Sequence, residues 1–273
     1  MNKRLKLYFT KALGIIGVIF TFVPEDVFKT YKLLSQMSDE MNIIFNRSLI
    51  YIVVFFLIIC CSSIYRKYRK HIDINGKNYN IRIQEKDLFK MKNCKKVIPF
   101  DECFTTKVGD APEEINPNSI CGQYIAKYSI KDQEIQDLIN IAQLRPTNSR
   151  SKYQNKIKYE SGKLIQKNDY LLMAFAKLDE NGLGVMTRKE YIACLEQLWI
   201  EIDKYYGQRD VCVPILGSGV TRMEDTSLTQ QELLDIMIES YKLSIHKIKA
   251  PHRLYIAYRK CDDFSLDKIG ESI

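Results

Sequence analysis

The chain lacks the groups of residues that bind metals or build disulfide frameworks. It has only three histidines, which lie far apart at His71, His246 and His252. Its eight cysteines include no C-x-x-C pair and no group with zinc-ligand spacing; they are Cys60, Cys61, Cys94, Cys103, Cys121, Cys194, Cys212 and Cys261. Since zinc ligands recur at characteristic spacings and disulfides belong to oxidising compartments, we predict no metal site, no cofactor, and cysteines that are reduced.

A module for nucleic acids is also missing. The formal net charge is +8, but eight basic residues flank two apolar segments near the N-terminus; these are Lys3, Arg4, Lys6, Lys11, Arg66, Lys67, Arg69 and Lys70. The other basic residues are not interleaved with aromatic residues in a recognisable binding module. We therefore expect no nucleic acid among the partners of this protein.

The composition is that of a folded protein, with 46% hydrophobic and 27% charged residues, but the apolar residues are unevenly distributed. Residues 48–65 carry no charge over eighteen positions. A helix of that length rises about 27 Å, close to the roughly 30 Å of a bilayer's hydrocarbon core. This segment is therefore predicted to be a transmembrane helix.

The first apolar segment, residues 5–23, is interrupted by Lys11, whose long side chain can reach the headgroups. A signal peptide is the alternative interpretation. No small-x-small cleavage site precedes Pro24, and a second apolar segment follows, which favours a two-helix membrane hairpin with spans of about 5–23 and 48–65.

The flanking charges predict the orientation of this hairpin. Basic residues precede the first span and follow the second, whereas the connecting loop mixes both signs. We therefore expect a multi-pass protein of the cell membrane with both termini in the cytoplasm. The loop, residues 24–47, is either an amphipathic helix in the membrane interface or a solvated connector, and the sequence leaves both open.

The rest of the chain, residues 71–273, alternates strand and helix patterns. Strands are predicted at 79–83, 95–100, 163–165, 170–176, 211–216 and 253–258, and helices at 131–144, 187–205 and 227–247. Thr187 and Glu190 have the spacing of a capping box at the start of the second helix. This alternation predicts an α/β domain with a mixed central sheet.

A small-residue turn follows the predicted strand 211–216. It consists of Leu216, Gly217, Ser218, Gly219, Val220, Thr221 and Arg222. Glycines let backbone N–H groups approach an anion closely, and a helix starting near Ser227 or Thr229 would add the positive end of its dipole. An ordinary tight turn is the alternative, and Arg222 either contacts phosphate or pairs with Glu224 or Asp225.

Further motifs are Asp87 after the first strand and the segments 97–104 (VIPFDECF), 119–124 (SICGQY), 159–176 and 213–222 (VPILGSGVTR). With the two apolar spans, this organisation resembles the macro domain, an ADP-ribose-binding fold, in the divergent form found in effectors of Thoeris antiphage systems. The resemblance covers essentially the whole chain. It implies a membrane hairpin, residues 1–70, and a macro-like three-layer α/β/α domain, residues 71–273.

The resemblance also implies a set of ligand-binding residues. Asp87 corresponds to the aspartate that receives the adenine amino group, and residues 213–222 correspond to the second phosphate loop. The other implied ligand contacts are Phe100, Asp101, Cys121, Gly122 and Gln123. The family's alanine-asparagine pair and glycine triplet are absent, so we predict no catalytic residues and expect binding rather than hydrolysis of an ADP-ribosyl group.

The implied function is that of an antiviral effector. An ADP-ribose-derived signal nucleotide, made by a TIR-domain enzyme, is expected to bind the cytoplasmic domain and drive self-association. The gathered hairpins would then disrupt the lipid bilayer. The alternatives are a membrane-tethered ADP-ribosyl hydrolase and a passive nucleotide-binding scaffold.

Overall fold

The computed structural model describes residues 3–30, 38–219, 221–223, 227–261 and 264–270. The chain divides into two compact units, Met1–Arg69 and Lys70–Ile273. The first unit is helical, and the second contains one large sheet with helices on both faces.

The first unit consists of α1 (Lys3–Phe22), α2 (Glu25–Thr30) and α3 (Asp39–Tyr68). By length and composition, α1 and α3 are apolar enough to cross a membrane, with mean hydropathies of 1.6 over Leu5–Phe22 and 2.5 over Asp39–Arg66. The α3 helix begins nine residues before the predicted span, because Ser38 caps it by accepting a hydrogen bond from the Met41 N–H. Residues 39–47 are therefore helix rather than connector, and residues 31–37 of the loop lie outside the described residues.

Contacts near both ends join α1 and α2 to α3. Near the end of α3, the Arg66 guanidinium donates to the Tyr8 hydroxyl. Near its start, Arg47 lies 3.0 Å from Glu25, and the Asn46 side chain donates to the Phe28 carbonyl over 2.8 Å. Many apolar side chains of both helices are exposed, which is compatible with helices that could cross a membrane.

The second unit contains a nine-stranded sheet in the order β1-β2-β9-β7-β3-β5-β6-β8, with β4 paired to β5. The strands are β1 (His71–Asn75), β2 (Asn80–Glu85), β3 (Cys94–Asp101), β4 (Leu164–Lys167), β5 (Tyr170–Leu178), β6 (Gly184–Met186), β7 (Asp210–Pro214), β8 (Arg222–Met223) and β9 (Leu254–Tyr258). The central strands β2, β9, β7, β3 and β5 are mutually parallel, so their carboxyl ends share one edge of the sheet. The strands β4 and β6 run antiparallel to β5, β1 runs antiparallel to β2, and β8 pairs parallel with β6, which makes the sheet mixed as predicted.

In the described part of this unit, four α-helices cover the two faces of the sheet: α4 (Ile120–Tyr128), α5 (Asp132–Ile141), α6 (Arg188–Tyr205) and α7 (Gln230–Leu243). Successive strand residues point to opposite faces, so Val97 packs in the core under α6 and α7, whereas Ile98 packs in the core under α4 and α5. The predicted three-layer α/β/α architecture is therefore confirmed.

The element boundaries differ from the sequence predictions in several places. The strands β1, β6 and β8 and the helix α4 had no predicted counterpart. The last predicted helix is shorter at both ends, because a capping box formed by Thr229 and Glu232 starts α7 at Gln230. The predicted helix 131–144 ends at Ile141, and Gln143 beyond it has a positive φ of 50°.

Candidate functional site

A cavity of about 460 Å³ lies at the carboxyl ends of β3, β5 and β7. Its wall comes from the ends of these strands, the loop 109–116, the start of α4, and the turn after β7. The volume falls in the range of pockets for small molecules, and the carboxyl edge of a parallel sheet is where ligands of α/β folds gather. This cavity is therefore the candidate site.

Most of the ligand-binding residues predicted from the sequence line this one cavity. They are Phe100, Asp101, Cys121, Leu216, Gly217, Ser218, Gly219, Thr221 and Arg222. Three others, Asp87, Gly122 and Gln123, do not line it, and Val220 lies outside the described residues. The topology thus brings together segments that are more than 100 residues apart in the sequence.

The turn after β7 is held by hydrogen bonds from within and from α6. The Ser218 hydroxyl donates to the Ile215 carbonyl over 2.7 Å, and the buried Tyr191 hydroxyl donates to the Leu216 carbonyl over 3.1 Å. Gly217 has a φ of +79°, and a Cβ there would lie 3.2 Å from the Met223 methyl carbon. This glycine is therefore required by the backbone.

Gly219 differs from Gly217 in its surroundings. A Cβ built on Gly219 meets no atom of the described residues within 4 Å, and its φ is outside the left-handed region. A side chain at this position would enter open space at the cavity wall rather than collide with protein. The absence of a side chain here keeps that space free.

The helix that contributes its N-terminus to the cavity is α4, not α7. Every residue of α7 is described and none lines the cavity, so the dipole contribution expected from that helix is missing. In contrast, Ser119, Ile120 and Cys121 at the start of α4 line the wall, and the Ser119 hydroxyl caps the helix by accepting from the Gly122 N–H over 2.9 Å. In the sequence, the only indication of this helix start was the serine of the segment SICGQ, a residue type that commonly caps helices.

The three predicted residues outside the cavity have structural contacts of their own. The Asp87 carboxylate caps a short 3₁₀ helix by accepting the Phe89 N–H over 2.9 Å. A Cβ on Gly122 would overlap the carbonyl oxygen of Asn116, so this glycine lets α4 pack against the loop before it. The Gln123 amide donates to the Asn118 carbonyl over 2.7 Å.

Asp101 is at the cavity floor, where the β3–β5 pairing shifts register. Burial raises the pKa of its carboxyl group, although hydrogen bonds from the Thr105 and Cys103 backbone N–H groups work in the opposite direction. Burial and the nearby Asp101 also raise the pKa of Cys103 to about 12, and that of Cys121 well above its ordinary value. Both thiols are therefore protonated at neutral pH and are poor nucleophiles.

One wall of the cavity escaped the sequence analysis: the acidic loop, residues 109–116. Its side chains Asp110, Glu113 and Glu114 line the cavity. Lys107 closes the loop with an ion pair of 2.7 Å to Glu114, and Glu113 packs against Gly182 on the far side of the cavity mouth. The only sequence signal was the turn-forming Gly109 and Pro112 in a polar region.

Residues 81–259 match the model of a protein family described as "Thoeris protein ThsA, Macro domain". The chain belongs to this family. A similar curated protein is Thoeris protein ThsA of Bacillus amyloliquefaciens (strain Y2), which is 31% identical over 206 residues covering 71% of this chain and 67% of that protein. The matched region runs from β2 to just beyond β9, so it contains every segment that lines the cavity.

Two solved structures show the extent of structural similarity. A mutant macrodomain of Oceanobacillus iheyensis with ADPR is 9% identical and gives a TM-score of 0.45, covering 70% of this chain and 90% of that chain. Thermosipho africanus DarTG in complex with ADP-ribose is 14% identical and gives a TM-score of 0.42, covering 74% of this chain and 47% of that chain.

Proposed function

We propose that this ThsA macro-family chain is an antiviral effector that binds an ADP-ribose-derived signal nucleotide made by a TIR-domain enzyme. The observation that carries the proposal is the glycine turn at the carboxyl end of β7, which opens onto a cavity of about 460 Å³. Membership of the Thoeris family supports the defence role.

In this proposal, the nucleotide's diphosphate lies between the turn 217–219 and the start of α4. Backbone N–H groups of a turn and of a helix N-terminus both favour negative charge. Arg222 adds a charge-assisted contact from the same wall. The carboxylates of the acidic loop then accept hydrogen bonds from the hydroxyl or amino groups of the ligand.

We propose binding without turnover. Hydrolysis needs a positioned water and a group that activates it. The Asp101 carboxylate already accepts two backbone N–H groups, over 2.8 Å and 3.2 Å, and the two thiols nearest to it have raised pKa values. These bonds fit a structural role for Asp101 at the floor of a binding cavity.

The effector step follows from the two apolar helices. Ligand binding can drive a change only if the ligand binds one state more tightly than the other. Moving a population from 1:99 to 99:1 takes roughly 5.5 kcal/mol of such differential affinity. Self-association divides this requirement among several protomers, each of which brings its own pair of helices to the bilayer.

Calorimetry of the full chain in nanodiscs, titrated with ADP-ribose, tests the binding step. Gly219→Val places an isopropyl group in the open space at the cavity wall, and we expect it to weaken binding at least tenfold without unfolding the domain. The control, Ala126→Val, places the same isopropyl side chain on the exposed face of α4 and should bind like the wild type.

Equal affinity in Gly219→Val and the wild type would remove the turn from the binding site. A separate incubation of the wild type with an ADP-ribosylated protein, followed by mass spectrometry, tests turnover. We expect the modification to remain attached, whereas catalytic release of free ADP-ribose would favour the hydrolase alternative.

A further inference from the structure

The charges on the cavity wall pose a problem for an anionic ligand. Among the described residues that line the cavity, four are acidic and only Arg222 is basic. The acidic residues are Asp101, Asp110, Glu113 and Glu114. A diphosphate approaching such a wall meets repulsion before it reaches the backbone N–H groups of the turn.

Residues 145–158 form a basic segment, in contrast to the mostly acidic charges of the cavity wall. It contains five Lys or Arg residues and no acidic residue: Arg145, Arg150, Lys152, Lys156 and Lys158. The whole unit 70–273 has 31 Lys and Arg residues against 29 Asp and Glu residues, so acids outnumber bases in the rest of the unit. The excess positive charge of the second unit is therefore concentrated in one place.

Hydrogen bonds hold the basic segment beside the cavity floor. The Ser151 hydroxyl donates to the buried Glu102 carboxylate over 2.6 Å, and the Tyr159 N–H that follows the segment donates to the Glu102 carbonyl over 2.8 Å. Glu102 follows Asp101 directly and is 2% exposed. The segment is therefore anchored one residue away from a side chain that lines the cavity.

The middle of the segment reaches the cavity mouth. The Tyr153 ring lies 3.1 Å from the position of a Cβ on Gly182, which lines the cavity. The Lys156 ammonium lies 4.8 Å from the centre of the Tyr153 ring, and its charge acts on Asp101 by lowering that carboxyl's pKa against the larger effect of burial. Arg150 and Lys152 are exposed and form no ion pair with any described residue.

We propose that the basic segment is the electrostatic entrance of the cavity, in which Arg150, Lys152 and Lys156 attract the anionic nucleotide and offset the carboxylates of the wall. This inference rests on the proposed binding of an ADP-ribose-derived ligand. Exposed charges of this kind raise the rate of association and have little effect on dissociation. Their influence falls with ionic strength, because the Debye length is about 8 Å at physiological salt.

Surface plasmon resonance on the full chain in neutral-lipid nanodiscs, with ADP-ribose as analyte, separates the two rates. We expect the triple variant Arg150→Gln, Lys152→Gln, Lys156→Gln to associate about three- to tenfold more slowly than the wild type at low salt, with dissociation unchanged within about twofold. The difference should disappear near 0.5 M salt.

The matched control removes three exposed lysines at the opposite end of the sheet: Lys77→Gln, Lys92→Gln, Lys249→Gln. These residues precede β2, β3 and β9, so they lie at the amino ends of the parallel strands, and the net charge changes by the same amount. We expect wild-type association from this variant.

Equal association rates in both triple variants, at every salt concentration, would overturn the inference while leaving the binding site intact. Faster dissociation with unchanged association would also overturn it, because that result indicates direct contact rather than attraction at a distance. Failure of the wild type to bind ADP-ribose would contradict the proposed function, and with it this inference, which depends on that function.

Discussion

Single residues at the carboxyl edge of the sheet either maintain the backbone conformation or line the cavity. Gly217, with its positive φ, and Gly122, packed against the carbonyl of Asn116, are required by the backbone. Among the described residues, neither the backbone nor a neighbouring atom requires glycine at position 219, and the space in front of it is open. Asp101 combines both purposes, since it bonds to its own loop and faces the cavity.

At the residue scale, Asp101→Asn should stabilise the ligand-free protein at pH 8. Burial raises the folded-state pKa of this carboxyl, so its ionisation favours the unfolded chain. The penalty is absent below the ordinary aspartate pKa of about 3.9, grows as pH rises, and is complete above the folded-state pKa. Asparagine keeps an oxygen that accepts the N–H groups of Cys103 and Thr105.

We expect a gain of about 1 kcal/mol, or roughly 2–4 °C in Tm, at pH 8, shrinking as pH is lowered toward 4. The only tryptophan, Trp199, is 1% exposed in the core of the second unit, so its fluorescence reports the unfolding of that unit in the full chain. The exposed Asp137→Asn is the control. A gain that is independent of pH would contradict the assigned cause.

At the scale of elements, α6 and α7 begin with the same device. Each has a threonine cap and a glutamate three residues later that bonds back to the cap, Thr187 with Glu190 and Thr229 with Glu232. The capping box of α6 has an additional partner, because the Lys177 ammonium of β5 lies 2.5 Å from the Glu190 carboxylate. This contact ties the start of α6 to a strand whose end forms the cavity floor.

Glu190→Gln should cost about 0.5–1 kcal/mol at pH 7 and less at pH 3. Burial of Glu190 works to raise its pKa, but the bonds from Lys177 and Thr187 outweigh burial and the pKa is lowered. A lowered folded-state pKa gives stability that is present above the ordinary glutamate pKa of about 4.3 and is lost as pH falls through the folded value.

Urea denaturation followed by Trp199 fluorescence at the two pH values measures this difference. Glu232→Gln provides the comparison, because its box has the same geometry and no lysine ion pair among the described residues; the charge of Arg188 lowers its pKa less than the bonds from Thr229 do. It should lose less stability at pH 7. Equal losses in the two variants would mean that the Lys177 contact contributes nothing measurable.

At the scale of the whole molecule, a helical unit with two apolar helices and an α/β unit with a cavity occur on one chain. In the proposed function each unit has a separate role, since the second binds the signal and the first acts on the bilayer. The proposed effector function gives a role to both units.

Dye release from liposomes that contain the full chain tests this division. We expect ADP-ribose to cause release with the wild type and much less release with Gly219→Val at the same ligand concentration, because the variant binds the ligand more weakly and keeps the helices. Saturated binding without release would favour a passive anchor. Release without ligand would show that the helices act independently of the cavity.

The sequence by itself determined the features that depend on neighbouring residues. An uncharged run of eighteen residues predicts a membrane-length helix because helix rise is constant. Thr187 and Glu190 predict a helix start because a capping box involves residues three positions apart. The glycine turn after β7 is equally local, and six of its seven residues predicted to bind ligand line the cavity.

Only the tertiary structure decided the charge and the surroundings of the site. The acidic loop faces the cavity because Glu113 meets Gly182 from another segment, and the basic segment is beside it because Ser151 bonds to Glu102, 49 residues earlier. The raised pKa of Asp101 has the same origin, since burial depends on what the whole fold packs around a side chain. Such contacts join residues that are distant in sequence, and no local pattern specifies them.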